Sequence, residues 1–209
     1  MIFIFDLDGT LIDSSERMYK LFCELVPECK LSKNEYWDYK RDKVNHKALL
    51  ERLYPQYSFE SFNAAWMSKI EDEDYLCLDC SYQDTEEVLK KLKDRGRSLF
   101  LLTARQSKQG LMNELSRLGL INFFEKILTT EGLCSKEDVL LEYSNENPSI
   151  LDKDNYFVSD MGKDITLAKK YGYSTIGISH GFMSRKRLTE YCPDILIDEL
   201  SELLSVICH

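Results

Sequence analysis

Two carboxylates one residue apart, Asp6 and Asp8, follow the apolar run Ile2, Phe3, Ile4, Phe5 and precede Gly9. In an extended chain the side chains at i and i+2 point to one side, so the pair can share a small site where the run ends. Acids this close resist ionising together unless a cation lies between them or one keeps a proton. Both states suit phosphoryl transfer, in which one carboxylate attacks phosphorus while a metal screens its charge and the other carries a proton for the leaving oxygen. A strand followed by an ordinary Asp-Gly turn explains the same stretch, so the reading depends on partners elsewhere.

Candidate partners follow later apolar runs. Thr103 comes after Leu99, Phe100, Leu101 and Leu102, and its hydroxyl and the N–H of Ala104 offer donors to a phosphate oxygen. Lys136, next to Ser135 at an expected helix start, offers a compact positive charge to a phosphate or a nucleophile. Asp160 and Asp164 bracket Met161, Gly162 and Lys163, and two carboxylates at a strand end suit magnesium, which takes few protein ligands. Each has a plainer reading: a strand end or helix cap at Thr103, a solvated lysine, a helix cap at Asp164. Arg105 and the run His180, Gly181, Phe182 are weaker candidates for pocket lining, explained equally by a solvent-facing helix start and a turn.

These groups meet only if the elements bring them to one edge. The run 2–5 reads as a buried strand. From 84 onward helix and strand patterns alternate. A helix is expected at 85–94 with Gly96 as its stop, a strand at 98–102, and a helix carrying Leu111, Met112, Leu115 and Leu118 up to Gly119. Next come a strand at 126–128, a helix from 135 to about 145, a strand at 156–159, a helix closing near Gly172, strands at 175–178 and 195–197, and a last helix from Asp198. Such alternation gives parallel strands with crossover helices, and ligands at the strands' carboxyl ends. Between 13 and 83 the pattern is helical, without a strand. Asp13, Ser14, Ser15 and Glu16 suit a helix start, Pro27 ends that helix after Val26, and Phe59, Phe62, Trp66 and Ile70 form the stripe of a buried helix face. The expected fold is α/β: a Rossmann-like, mostly parallel sheet sandwiched by helices, formed by 1–12 and 84–209, with a small all-α cap at 13–83 inserted after the first strand.

Composition narrows the function classes. A chain of 209 residues with 44% hydrophobic side chains can build a real core. Its 36 acidic against 27 basic residues give a charge of -9, which opposes binding to nucleic acid and to anionic membrane surfaces. The start in a strand and the lack of a long apolar run predict a cytoplasmic protein. Cys23, Cys29, Cys77, Cys80, Cys134, Cys192 and Cys208 are scattered and odd in number, as reduced thiols are. Cys77 and Cys80 make one C-x-x-C without a second pair, and His46, His180 and His209 are far apart, so a zinc site is not expected.

Taken in order, Phe-Asp-Leu-Asp-Gly-Thr at 5–10, Leu-Leu-Thr at 101–103, Lys136 and Ser-Asp-Met-Gly-Lys-Asp at 159–164 resemble the four motifs of the haloacid dehalogenase superfamily. The resemblance runs the length of the chain. With Asp13 and Ser14, the inserted helices resemble its phosphoglycolate phosphatase-like and β-phosphoglucomutase-like group. It implies that Asp6 is a nucleophile forming an aspartyl phosphate, and that Asp8 protonates the leaving group and then activates water. It also implies a Mg2+ ion bound by Asp6, Asp160 and the backbone carbonyl of Asp8, with Asp164 as ligand or support, and a phosphate held by Thr103, Ala104 and Lys136. Ser159 stands where the family more often has glycine, and the family's substrate-reading segment has no clear counterpart here.

The implied function is Mg-dependent hydrolysis of a small phosphorylated metabolite. Halide-displacing members lack the second acid, so Asp8 argues against that branch. A phosphomutase of the same superfamily, or a silent binding protein on the fold, are the alternatives. In the helical insert Lys40, Arg41, Lys43, His46 and Lys47 crowd together. If that cluster faces the core, Arg41 and Lys43 are the expected contacts to the substrate beyond its phosphate; otherwise it is a solvated helix face.

Overall fold

The computed structural model describes residues 1–206, so Cys208 and His209 lie outside the described residues. Six parallel strands form the main sheet: β1 (Ile2–Phe5), β4 (Ser98–Thr103), β5 (Lys126–Thr129), β6 (Tyr156–Ser159), β7 (Ser174–Ile178) and β8 (Ile195–Ile197), in the order β5-β4-β1-β6-β7-β8. β1 is therefore internal. Its neighbours are β4, with Phe5 opposite Leu101, and β6, with Phe5 opposite Val158. Thr103, Asp6 and Asp160 consequently leave three adjacent strands at the same edge.

Alternation along the strands fills both faces. Phe3, Phe5, Leu99, Leu101, Val158 and Ile176 pack on one side with Val88, Leu89 and Leu92 of α6 (Thr85–Asp94) and Leu111 and Leu115 of α7 (Lys108–Arg117). Ile4, Phe100, Leu102 and Phe157 pack on the other with Leu140 of α8 (Lys136–Glu146) and Ala168 of α9 (Gly162–Lys170). Each such side chain taken fully out of water contributes roughly 1.5–3 kcal/mol, so the central strands are the most firmly held part of the molecule.

Five helices lie within residues 15–76: α1 (Ser15–Leu25), α2 (Lys33–Arg41), α3 (His46–Leu53), α4 (Phe59–Lys69) and α5 (Glu73–Leu76). They have their own core of Leu21, Phe22, Tyr36, Leu49, Leu50, Phe62, Trp66 and Ile70. His46 belongs to it. Its ring lies 4.2 Å from that of Trp66, its Nε2 is 2.8 Å from the Tyr36 hydroxyl, and burial pushes its pKa down to about 2.

The 12–83 region contains a feature that its helical pattern does not announce. β2 (Ile12–Asp13) and β3 (Cys80–Ser81) pair antiparallel where the chain leaves and re-enters the sheet domain. Two residues are too few for a periodicity to show. The α1 start lies within the expected Asp13–Glu16 stretch: the Asp13 carboxylate accepts the Ser15 N–H at 2.8 Å, and Ser14 makes no side-chain cap. At the other end, a 3-10 turn at Leu200–Glu202 precedes α11 (Leu203–Val206), later than a helix start at Asp198.

Several contacts tie the helical module to the sheet domain. The Glu71 carboxylate accepts the N–H groups of Gln106 and Ser107, both at 2.8 Å, at the start of α7. Arg41 donates to the backbone carbonyls of Ser179, His180 and Gly181 at 2.8, 2.9 and 3.0 Å, just past β7. α10 (Arg185–Thr189) adds Arg187, whose Nε reaches Asp42 at 2.7 Å. No helix among the described residues is long and apolar enough to cross a membrane.

Candidate active site

The site is built outward from the end of β1. Asp6 extends the ladder one step, its N–H donating to the Val158 carbonyl at 3.0 Å, and its carboxyl is 5% exposed. The chain then turns tightly, Thr10 and Leu11 both donating to the Leu7 carbonyl. Gly9 is required in that turn: its φ is +78°, and a Cβ there would stand 2.2 Å from Asp160 Oδ2. Gly181 approaches the same carboxylate from the β7 side, where a Cβ would also lie 2.2 Å away. Two glycines therefore cradle Asp160.

Asp160 is fully buried. It accepts from the Thr10 hydroxyl at 3.2 Å and from the Phe182 N–H at 2.5 Å. Burial pushes its carboxyl well up, and the neighbouring charges of Asp6 and Asp164 push it further. The Lys136 ammonium, from the first turn of α8, bridges Asp6 Oδ1 at 2.7 Å and Asp164 Oδ2 at 2.6 Å. Ser159 supports Asp164 with a 2.9 Å hydrogen bond, so the residue standing in place of glycine orients an acid. Burial raises the Asp6 carboxyl; Lys136 pulls it back, Asp164 and Asp8 push up, and it comes to about 6.

Asp8 faces a different set of cations. Arg105 forks onto it, Nε to Oδ2 at 2.7 Å and Nη2 to Oδ1 at 2.9 Å, and Arg17 donates to Oδ1 as well. Burial pushes this carboxyl up, but the two guanidiniums outweigh it and hold Asp8 at about 2. Asp6 and Asp8 thus border one cavity while drawing on separate positive charges.

Behind Asp8 lies a buried ionic cluster of three carboxylates, Asp8, Asp79 and Glu114, against two guanidiniums, Arg17 and Arg105. Arg17, Asp79, Arg105 and Glu114 are each less than 5% exposed. Burial pushes Asp79 up to about 8 and raises Glu114 too. One proton held between those two acids leaves the cluster neutral, the state a low-dielectric site favours.

The cavity spans about 870 Å³ between the helical module and the sheet's carboxyl edge, within the size range of small-molecule sites. Asp6, Asp8, Thr103, Ala104, Lys136 and Asp164 line it, and Asp160 sits beneath. Phe182 lines it as well, and its ring packs 5.0 Å from Trp37 of the module. Arg41 does not border the cavity: the Ser179–Gly181 carbonyls take up its guanidinium. Lys43 borders it but pairs with Glu190 at 2.9 Å, and Lys47 faces solvent beside Glu51. Arg105 is turned inward onto Asp8 rather than toward the cavity.

Arg17, Asp79 and Glu114 escape a reading of motifs alone. A signal exists in the helix pattern: Arg17 and Glu114 occupy inward positions of α1 and α7, beside Leu21 and Leu111, where a charge must be paired.

No three histidine, cysteine or acidic side chains among the described residues converge as a ready-made metal cage. The donor set still fits magnesium, which needs one or two carboxylates and otherwise takes water and substrate oxygens. Asp6 and Asp164 share a single ammonium, and Asp160, whose carboxyl both of them push up, has no cation of its own among the described residues, which leaves negative charge that a hard cation would neutralise.

The fold and this acid-lined edge place the chain in the Rossmann-like α/β class. Residues 3–178 match the family of haloacid dehalogenase-like hydrolases, and the chain belongs to that family. It is 25% identical to the pyrophosphatase PpaX of Bacillus pumilus, covering 98% of this chain and 94% of the relative. It is 26% identical to a phosphoglycolate phosphatase of Vibrio parahaemolyticus, covering 97% and 94%. Among solved structures, a haloacid dehalogenase-like hydrolase from Streptococcus pneumoniae superposes with a TM-score of 0.79 at 19% identity, over 98% of this chain and 97% of that one. A predicted phosphatase from Clostridium acetobutylicum gives 0.78 at 24%, over 99% and 97%. These two share the fold.

Proposed function

We propose that the chain is a phosphatase that hydrolyses small phosphorylated metabolites with Mg2+ through an aspartyl phosphate on Asp6. The observation that carries this reading is the placement of Asp6, a buried carboxylate at the end of the central strand, 2.7 Å from an ammonium and open to the cavity. An acid near 6 is mostly ionised at neutral pH, so Asp6 is ready as a nucleophile. In this reading 13–83 is a cap over the 1–12 and 84–209 core, and the protein works in the cytoplasm.

Asp6 attacks phosphorus while Lys136 offsets the charge of the incoming phosphate. Thr103 and the Ala104 N–H hold its oxygens. Asp8 gives a proton to the leaving oxygen and later takes one from the attacking water; its arginine clamp must loosen for the first step and suits the second. Asp6, Asp160 and the backbone carbonyl of Asp8 would hold the metal, with Asp164 beside them, and the ion would supply charge neutralisation. The names of the relatives, a pyrophosphatase and a phosphoglycolate phosphatase, support a small anionic substrate. The test is turnover of p-nitrophenyl phosphate and a panel of phosphorylated metabolites. The expected result is hydrolysis with magnesium, none in excess chelator, and recovery on adding the ion back. Full activity in chelator would overturn the metal-dependent reading.

A further inference from the structure

The charges that line the cavity are nearly all matched. Asp6 and Asp164 share Lys136, Asp8 has Arg105 and Arg17, Glu137 has Lys170, and Lys43 has Glu190. Two ammoniums are left over. Lys163 is exposed at the rim, where water screens it. Lys40, in the last turn of α2, is partly buried, and its ammonium has no ion pair or hydrogen bond among the described residues.

We propose that Lys40 receives a second anionic group of the substrate, a carboxylate or a further phosphate, so that the substrate is a small phosphate compound charged at both ends. This rests on the phosphatase reading and adds the class of its substrate. A partly buried ammonium without a counterion carries a desolvation cost that a neighbour would normally offset. Burial alone pushes the Lys40 pKa down to about 8. Lys40 and Lys136 line the same cavity, one from the module and one from the sheet domain, so when a phosphate sits over Asp6 the unpaired cation that the module offers to the rest of the substrate is Lys40. Arg41, one residue on, anchors α2 to the Ser179–Gly181 carbonyls and so fixes where Lys40 stands.

The test measures equilibrium binding of three phosphonates, in excess magnesium, to the full chain and to its Lys40→Gln and Lys40→Arg variants. Phosphonoacetate presents a carboxylate at its far end, methylenediphosphonate a second phosphonate, and ethylphosphonate a methyl group. In the wild type at least one of the two doubly anionic probes should bind about tenfold or more tighter than ethylphosphonate, which is about 1.4 kcal/mol. Which probe shows the preference identifies the anion. The preference should collapse to about twofold or less in Lys40→Gln and largely survive in Lys40→Arg. Lys40 has no ion-pair partner to lose, so neither variant should melt below the wild type, and Lys40→Gln, which removes the desolvated charge, should melt at or above it. An equal preference in wild type and Lys40→Gln, or no preference in the wild type, overturns the proposal. If the wild type still hydrolyses p-nitrophenyl phosphate in that case, only the role of Lys40 falls. If it neither turns over a phosphate ester nor binds any phosphonate, the phosphatase reading falls as well.

Discussion

Arg105 grips the Asp8 carboxylate with a two-pronged salt bridge, 2.7 and 2.9 Å, across 97 residues of sequence. That grip sets how Asp8 titrates. Its carboxyl is held at about 2 against an ordinary 3.8, so the folded state binds this proton less tightly than the unfolded chain. Together with Arg17, this pairing contributes stability on the order of 2 kcal/mol above the unfolded pKa, and that contribution is lost as pH falls through the folded value near 2. Arg105→Lys keeps the charge without the fork. Because Arg17 and the charge remain, its destabilisation in urea titrations should be a part of that, on the order of 1 kcal/mol at pH 7, and shrink between pH 4 and pH 2. A penalty that does not change with pH would contradict the clamp.

The cluster behind Asp8 has an opposite dependence. Asp79 is raised to about 8, so the folded state holds this proton more tightly than the unfolded chain. Its contribution is greatest below the unfolded value near 4 and declines as pH rises toward 8. Asp79→Asn leaves two carboxylates against two guanidiniums and removes that slope. Wild type should therefore lose more stability than the variant between pH 5 and pH 8, measured as urea midpoints. Arg17→Ala, which strands the acids, should cost roughly 3–5 kcal/mol at neutral pH. Parallel pH profiles for wild type and Asp79→Asn would refute the shared proton.

Arg41 is an anchor between module and sheet domain, and its loss should be felt by every substrate. Arg41→Ala removes charge-assisted hydrogen bonds to three carbonyls, each bond to a charged donor being worth roughly 1.5–3 kcal/mol. kcat/KM should fall roughly tenfold or more for a small aryl phosphate and for a doubly anionic substrate alike. A loss confined to the latter would return Arg41 to the role of substrate contact.

Much of this was legible in the sequence because the candidate site groups follow strands whose apolar runs mark their own ends. β1, β4 and β6 end within a residue of where their patterns place them, so Asp6, Thr103 and Asp160 come to one edge by topology alone. The basic cluster at 40–47 reads differently once folded, since a run of charges in sequence says nothing of where each side chain points. The last turn of α2, the loop after it and the start of α3 send Arg41 to backbone carbonyls, Lys43 to Glu190, His46 into an aromatic core and Lys40 to the cavity. Arg17, Asp79 and Glu114 of the buried cluster were hidden because they are far apart in the chain and belong to no motif. The β2–β3 ribbon was hidden because it is two residues deep.

In the metal-free protein the Asp6 carboxyl should titrate near 6, because burial and the adjoining acids oppose its charge. Carbon-13 carboxyl chemical shifts, assigned through Asp6→Asn, can follow it. Saturating magnesium should move the midpoint down, since a bound cation favours the carboxylate. A midpoint that magnesium leaves in place would count against Asp6 as a ligand.

The central claim is that Asp6 itself becomes phosphorylated. Asp8→Asn is the protein to use: p-nitrophenolate leaves without needing a proton, whereas water still needs a base to attack the phosphoenzyme, so the adduct should build up. The buried cluster can tolerate the change by releasing its proton. The measurement is peptide-resolved mass spectrometry of Asp8→Asn protein, acid-quenched after mixing with p-nitrophenyl phosphate and magnesium. A phosphoryl group on Asp6 that hydroxylamine removes, absent when Asp6 is Asn, is the predicted result. A folded Asp6→Asn protein with near-normal turnover, or an adduct on another residue, would contradict the account.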